Sequence, residues 1–278
     1  MSKLALLTLF AGLACAQSVE IYSEFQRPDP FGQIVRADRA LRPREILSPA
    51  VARNGFASFH IAVSVPPKES YLLYVATNPL DACRVALYKE HFARTQDGWI
   101  PDRLTEVHRL PDFGTMPDPD DGIEGQNTRV YLLDLWIPPG TGVGRFRLEV
   151  QLKVASWTIR PLEVRVVEAR IPDLPKRDSG KLASMEQGAD TPALAALAAY
   201  LSGKAPAAGW QPLTVRDIVR RNAAQDMALA ASLDAKSAVP AELERRVTDL
   251  LTVNARFSPR PLGAEWYLKI RDFLFGQR

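Results

Sequence analysis

The chain has 278 residues, 46% hydrophobic and 24% charged, with 35 Lys and Arg against 32 Asp and Glu and a formal net charge of +3. The apolar share excludes disorder and supports a packed core, and the near balance of interspersed charges excludes the basic block that holds nucleic acid. Two cysteines, Cys15 and Cys83, exclude a disulfide scaffold.

Met1 to Ala16 sets one lysine, Lys3, before an apolar run from Leu4 to Leu13, and closes with Ala14-Cys15-Ala16 before the polar Gln17. The run is far shorter than the roughly 20 residues that cross a bilayer, and small side chains at 14 and 16 suit a signal peptidase. The expectation is a signal peptide at 1–16, cleaved after Ala16, and hence a secreted, periplasmic or cell-envelope protein. The rival reading is lipidation at Cys15, with Gly12 standing where a bulky aliphatic is expected. No later segment is apolar for long enough to span a membrane. Cys83 is expected to be a small buried hydrophobe.

From 17 to 175 the pattern is β. Phe56 to Val65 is a β-branched and aromatic run ended by Pro66-Pro67; Tyr71 to Ala76 and Val85 to Tyr88 follow as strands. Arg129 to Ile137 leads through Pro138-Pro-Gly-Thr-Gly-Val-Gly144 into the alternating Phe146, Leu148, Val150, Leu152 and Val154. A last run from Trp157 to Val167 is ended by Ile171-Pro172-Asp-Leu-Pro175. Strands of this spacing predict a mostly β fold, an Ig-like sandwich of two antiparallel sheets.

Residues 176–191 read as a polar linker, and 192–278 as an α-helical C-terminal region. Thr214-Val-Arg-Asp217 resembles a capping box, with Leu213 and Ile218 as a hydrophobic staple, and a helix to about Leu233 is expected. Pro240 suits another helix start. Leu243, Val247, Leu250 and Leu251 form one apolar stripe, and Trp266, Ile270, Phe273 and Leu274 repeat the spacing.

Four stretches carry a resemblance: Arg53-Asn-Gly-Phe-Ala-Ser-Phe-His-Ile-Ala-Val63, Gly98-Trp-Ile-Pro-Asp-Arg-Leu104, Val130-Tyr-Leu-Leu-Asp-Leu-Trp-Ile-Pro-Pro-Gly140, and Pro161-Leu-Glu-Val-Arg-Val-Val-Glu-Ala-Arg-Ile-Pro-Asp173. In this order they resemble the N-terminal β-sandwich accessory domain of secreted, uncharacterised glycoside-hydrolase-like bacterial proteins. The match runs from about Val51 to Pro175. Roughly 100 residues follow it, fewer than the 200 or more of a (β/α)₈ barrel, so the resemblance implies the accessory module without a catalytic barrel.

Residues able to carry chemistry are few. Asp118, Asp120, Asp121 and Glu124 crowd Pro117-Asp-Pro-Asp-Asp-Gly-Ile-Glu-Gly125, where oxygen ligands around a glycine can hold Ca²⁺; the other reading is a solvated acidic loop. Gly140-Thr-Gly-Val-Gly144 is not a dinucleotide fingerprint, because Arg145 takes the third glycine's place and a strand pattern follows. Walker A, H-E-x-x-H, C-x-x-C and G-x-S-x-G patterns are missing, and His60, His91 and His108 show no metal-ligand spacing. No cofactor is called for, and no catalytic residue is marked.

Trp99, in the loop-like Thr95-Gln-Asp-Gly-Trp-Ile-Pro101, is the candidate platform for a sugar ring; Trp136 and Trp157 are expected to pack the sandwich interior. Arg216, Arg220, Arg221, Arg245 and Arg246 offer a basic helical face, diluted by nearby acids and read as solvated. The reading is an exported, non-catalytic interaction module with a protein or glycan partner. The alternative is a small secreted hydrolase, of glycosidase or esterase type, with a site between sandwich and helices.

Overall fold

The computed structural model describes residues 17–24, 26–38, 50–96 and 98–171, together with Thr214, Val215, Ile218, Arg221 and Asn222. The expected signal peptide, the linker 176–191 and the rest of the helical region lie outside the described residues. The strands in chain order are β1 (Ser18–Ser23), β2 (Ala50–Arg53), β3 (Phe56–Ser64), β4 (Ser70–Asn78), β5 (Arg84–Thr95), β6 (Gly98–Glu106), β7 (Asp112–Thr115), β8 (Thr128–Trp136), β9 (Gly144–Lys153) and β10 (Trp157–Arg170). They form two five-stranded sheets, one ordered β1-β3-β8-β5-β6 and the other β2-β10-β9-β4-β7.

The expected two-sheet β architecture is present, with one departure: β2 runs parallel to β10, where antiparallel pairing was expected throughout. Strands β1, β2, β6 and β7 were not read from the sequence. The stretch around Trp99, read as a loop, is the start of β6. Pro101 fits there because β6 is an edge strand and the ladder shifts between His91 and Phe92, opposite Pro101.

The core follows from strict alternation. Ala57, Phe59, Ile61 and Val63 on β3 and Tyr131, Leu133 and Leu135 on β8 face Leu73 and Val75 on β4, Leu148, Val150 and Leu152 on β9, and Leu162, Val164 and Val166 on β10. Burying one such large aliphatic side chain fully is worth about 1.5–3 kcal/mol. Cys83 joins this cluster as a free, buried thiol, and burial pushes its pKa up to about 12.

The chain changes sheets between β2 and β3 through Asn54 and Gly55. Asn54 adopts φ 58°, a left-handed conformation that asparagine tolerates. Its N–H donates to Ile137 O at 2.8 Å, Ile137 N–H donates to Gly55 O at 2.8 Å, and Ile171 N–H donates to Arg53 O at 2.9 Å. A Cβ at Gly55 would stand 2.8 Å from the Ala52 carbonyl oxygen, so only glycine fits.

The outer face of the first sheet is covered as well. Val215, Ile218, Arg221 and Asn222 have helical backbone and lie against this face. Val215 and Ile218 pack with Tyr88, Leu104 and Leu132. Arg221, read from the sequence as part of a solvated basic face, is buried: its Nη1 and Nη2 donate to Asp134 at 2.7 and 2.6 Å, and its guanidinium lies 3.7 Å from the Phe56 ring centroid. The reason is Asp134, an acid amid the apolar residues of β8 that needs a buried partner. Among the described residues no helix is long and apolar enough to cross a membrane.

Candidate functional site

Two regions gather side chains that the core does not need: the open outer face of the second sheet, and a polar flank between the sheets.

On the second sheet, the residues that alternate with the core point outward. Trp157 on β10 is opposite Lys153 on β9, Lys153 is opposite Leu72 on β4, and Leu72 is opposite Phe113 on β7. These four form one row across four strands. In the next row Ile159, Gln151 and Tyr74 are opposite one another. Trp157 is 51% exposed, Ile159 46% and Phe113 68%. Three inter-strand spacings of about 4.8 Å separate the ends of the first row by about 14 Å. The Lys153 ammonium lies 5.5 Å from the centre of the Trp157 ring. The face therefore carries an exposed ring at each end of the first row, with Lys153 and Leu72 between them and Gln151 and Tyr74 beside them.

This corrects the placement of two tryptophans in the sandwich interior. Trp157 has the opposite parity to Leu162, Val164 and Val166 along β10, so it faces out. Trp136 ends β8 on the outer side of the first sheet, with the Arg84 guanidinium 5.0 Å from its ring and Phe56 at 6.5 Å. Trp99 sits half-buried at the start of β6, opposite Arg94, whose guanidinium lies 5.7 Å from its ring.

The second region is a cavity of about 600 Å³ at the flank where β5 and β6 run past the second sheet; its lining includes Lys89, His91, Arg103, Thr105, His108 and Asp120. Register places Thr105 opposite Lys89 and Arg103 opposite His91. The His91 Nδ1 lies 2.7 Å from Asp121 Oδ1 and its Nε2 3.0 Å from Thr105 Oγ1. The other Asp121 oxygen accepts from Arg129 Nη1 at 2.7 Å and Gln126 Nε2 at 3.1 Å. Burial would raise the Asp121 pKa, but the bond from His91 and the charge of Arg129 outweigh it and hold the carboxyl below its ordinary value.

The acidic segment is thus partly turned inward. Asp118 and Asp121 both contact Arg129 Nη1, at 2.9 and 2.7 Å, so the cation they share is the chain's own buried arginine. Asp118 Oδ1 also accepts the Asp120 N–H at 2.8 Å, while the Asp120 side chain and Glu124 are exposed. Among the described residues no group of three or more His, Cys, Asp and Glu side chains is arranged to hold a metal ion. Beside this cluster Tyr71 and Tyr131 join hydroxyls at 2.8 Å, and Tyr131 donates to Asp112 at 2.6 Å. Burial raises both phenol pKa values, so both stay protonated. Sequence reasoning singled out Asp121 but not its partners, since His91 and Thr105 are 14 positions apart and meet only through the β5–β6 register.

No family model and no curated protein sequence matches the chain. Among solved structures it is similar to a family 123 glycoside hydrolase from Clostridium perfringens, at 9% identity and TM-score 0.40, covering 62% of this chain and 32% of that one. It is also similar to the C-terminal domain of the AgI/II polypeptide BspA from Streptococcus agalactiae, at 8% identity and TM-score 0.30, covering 54% of this chain and 50% of that one. A Bacteroides ovatus GH5 xyloglucanase is a further neighbour, at 8% identity and TM-score 0.26, covering 60% of this chain and 25% of that one. The chain thus spans about a third of the first neighbour, half of the second and a quarter of the third.

Proposed function

We propose that this chain is an exported β-sandwich interaction module that takes a glycan on the open face of its second sheet. The observation that carries the reading is the register row Trp157–Lys153–Leu72–Phe113, with Tyr74 and Gln151 beside it. Sugar rings have apolar C–H faces and polar hydroxyl rims. A sheet presenting exposed rings together with ammonium and amide groups matches both at once, with little ordering cost because strands hold the side chains. The apolar residues are interrupted by Lys153 and Gln151, which suits a ligand with a wet rim better than a dry protein interface. Export is supported by the pattern of Met1 to Ala16.

The test is affinity electrophoresis of the full chain through gels containing soluble plant, bacterial and fungal polysaccharides, one per gel. Retardation by at least one polysaccharide is expected, abolished in Trp157→Ala and reduced in Phe113→Ala. Migration unchanged in every gel, or retardation that survives the double variant, would overturn the reading.

A further inference from the structure

We infer that the polar flank is a second, separate site that hydrolyses small carboxylic esters, with Thr105 as nucleophile and His91 as general base. The two distances at the imidazole carry this: Nδ1 to Asp121 Oδ1 at 2.7 Å and Nε2 to Thr105 Oγ1 at 3.0 Å. A hydroxyl, an imidazole and a carboxylate in hydrogen-bonded series is the arrangement that activates a weak nucleophile, and it is recognised by geometry on any fold.

Proton positions follow from the partners. Arg129 and Gln126 can only donate to Asp121, so that carboxyl is an anionic acceptor. Its free oxygen then takes the Nδ1–H of His91, which leaves the Nε2 lone pair to accept the Thr105 hydroxyl proton. The depressed pKa of Asp121 agrees with an ionised carboxylate. Arg129 is fully buried, so the carboxylate is held from behind, and the His91 side chain is only 10% exposed while Thr105 is open to the cavity.

In the reaction, Thr105 Oγ1 attacks the ester carbonyl carbon as its proton passes to His91 Nε2. The tetrahedral oxyanion forms beside Lys89 and Arg103, the cross-strand neighbours of Thr105 and His91. The bond from carbonyl carbon to the alcohol oxygen then breaks, and the alcohol leaves with the proton from His91. Water attacks the acyl-Thr105 ester, His91 takes its proton, and that proton returns to Thr105 Oγ1 as the acid departs. The substrate is one water and one ester, and the products are one acid and one alcohol. A secondary hydroxyl on a strand is a crowded nucleophile, so the class is a short acyl group, such as acetyl, on an alcohol that the polar cavity can accept. Asp121 is a positioning residue, acting only through His91.

The test is turnover of p-nitrophenyl acetate by the full chain, with mass spectrometry of the acid-quenched protein. Hydrolysis is expected, together with an acetyl group trapped on Thr105. Thr105→Val, which keeps the shape of an exposed side chain, should lose at least about 100-fold in rate, and Thr105→Ser should keep activity. Asp121→Asn should lower the rate and displace its pH profile. Turnover unchanged in Thr105→Val, acetylation only elsewhere, or no turnover by the folded parent chain would overturn the proposal. Loss of glycan binding in Trp157→Ala does not bear on this site.

Discussion

The two sheets use the same number of strands for opposite ends. In the first sheet every residue of β8 from Thr128 to Leu135 is buried, and its outer face lies beneath Val215, Ile218, Arg221 and Asn222. In the second, β9 and β10 alternate between buried and open positions over most of their length. A sheet covered on both sides must satisfy each polar group internally, whereas an open face can leave that to water or a ligand. The polar residues on the outer face of the first sheet accordingly pair with one another: Ser58 donates to Asp134 at 2.7 Å, Asn222 donates to Ser58 at 3.0 Å and also to Glu24, and His60 meets Glu90 at 2.7 Å, with only His60 Nε2 and the second Glu90 oxygen of these groups left without a partner. Those on the second sheet stand in water beside exposed rings.

The sharpest way to break this contrast is to remove one partner of the buried pair. Asp134→Ala leaves the Arg221 guanidinium without its carboxylate, and urea unfolding should show a loss of about 3–5 kcal/mol. If the loss matched that of an ordinary surface change, the outer face of the first sheet would not be covered as described. Leu132→Ala, between Tyr88 and Ile218, should cost about 2–5 kcal/mol by the same measurement. On the open sheet, Trp157→Ala should change stability by no more than about 0.5 kcal/mol while abolishing glycan retention. Lys153→Met should weaken binding to uronate-bearing polysaccharides more than to neutral ones, and salt should have the same effect on the parent.

The contrast also sets the response to pH. Burial disfavours a charged His60, but the Glu90 carboxylate bonded to it more than compensates, so its pKa is raised. A raised basic group gives its full stabilisation below the unfolded value of about 6.5, and that contribution falls as pH climbs toward the folded value. Asp121 behaves in reverse: its pKa is lowered, so its contribution is present above about 3.9 and fades on acidification below that. Denaturant midpoints measured from pH 3 to 9 should therefore fall at both ends, and His60→Gln should flatten the alkaline limb. The smallest expected effect is at Cys83. Its pKa near 12 leaves almost no thiolate at pH 8, and a disulfide reagent should label the native chain negligibly and the denatured chain fully.

Much of the sandwich was legible because period-two alternation over Phe146 to Val154 and Trp157 to Val167 encodes which face is buried. The same count held the position of Trp157: stepping back by two from Val164 and Leu162 reaches Arg160 and Thr158, never Trp157. The size and apolarity of the ring point to the core, but its place in the alternation turns it outward. Strands β6 and β7 hid for another reason, since both are edge strands, β6 opens at Gly98 and contains Pro101, and β7 is only four residues long. Asp134 in Val-Tyr-Leu-Leu-Asp-Leu-Trp136 was a readable signal that something cationic covers β8. The flank was not readable, because the pairing of His91 with Thr105 and Asp121 depends on the ladder register and on a loop returning from β7.

The crossing at Asn54 and Gly55 has a mechanical consequence. Two residues are too short a tether for the layers to slide past one another, and the backbone bonds to Ile137 and Ile171 clamp that tether to the ends of β8 and β10. Force applied to a ligand on one face is therefore passed to the opposite layer through a stiff corner, so the domain should yield by peeling at its free borders before its halves shear apart.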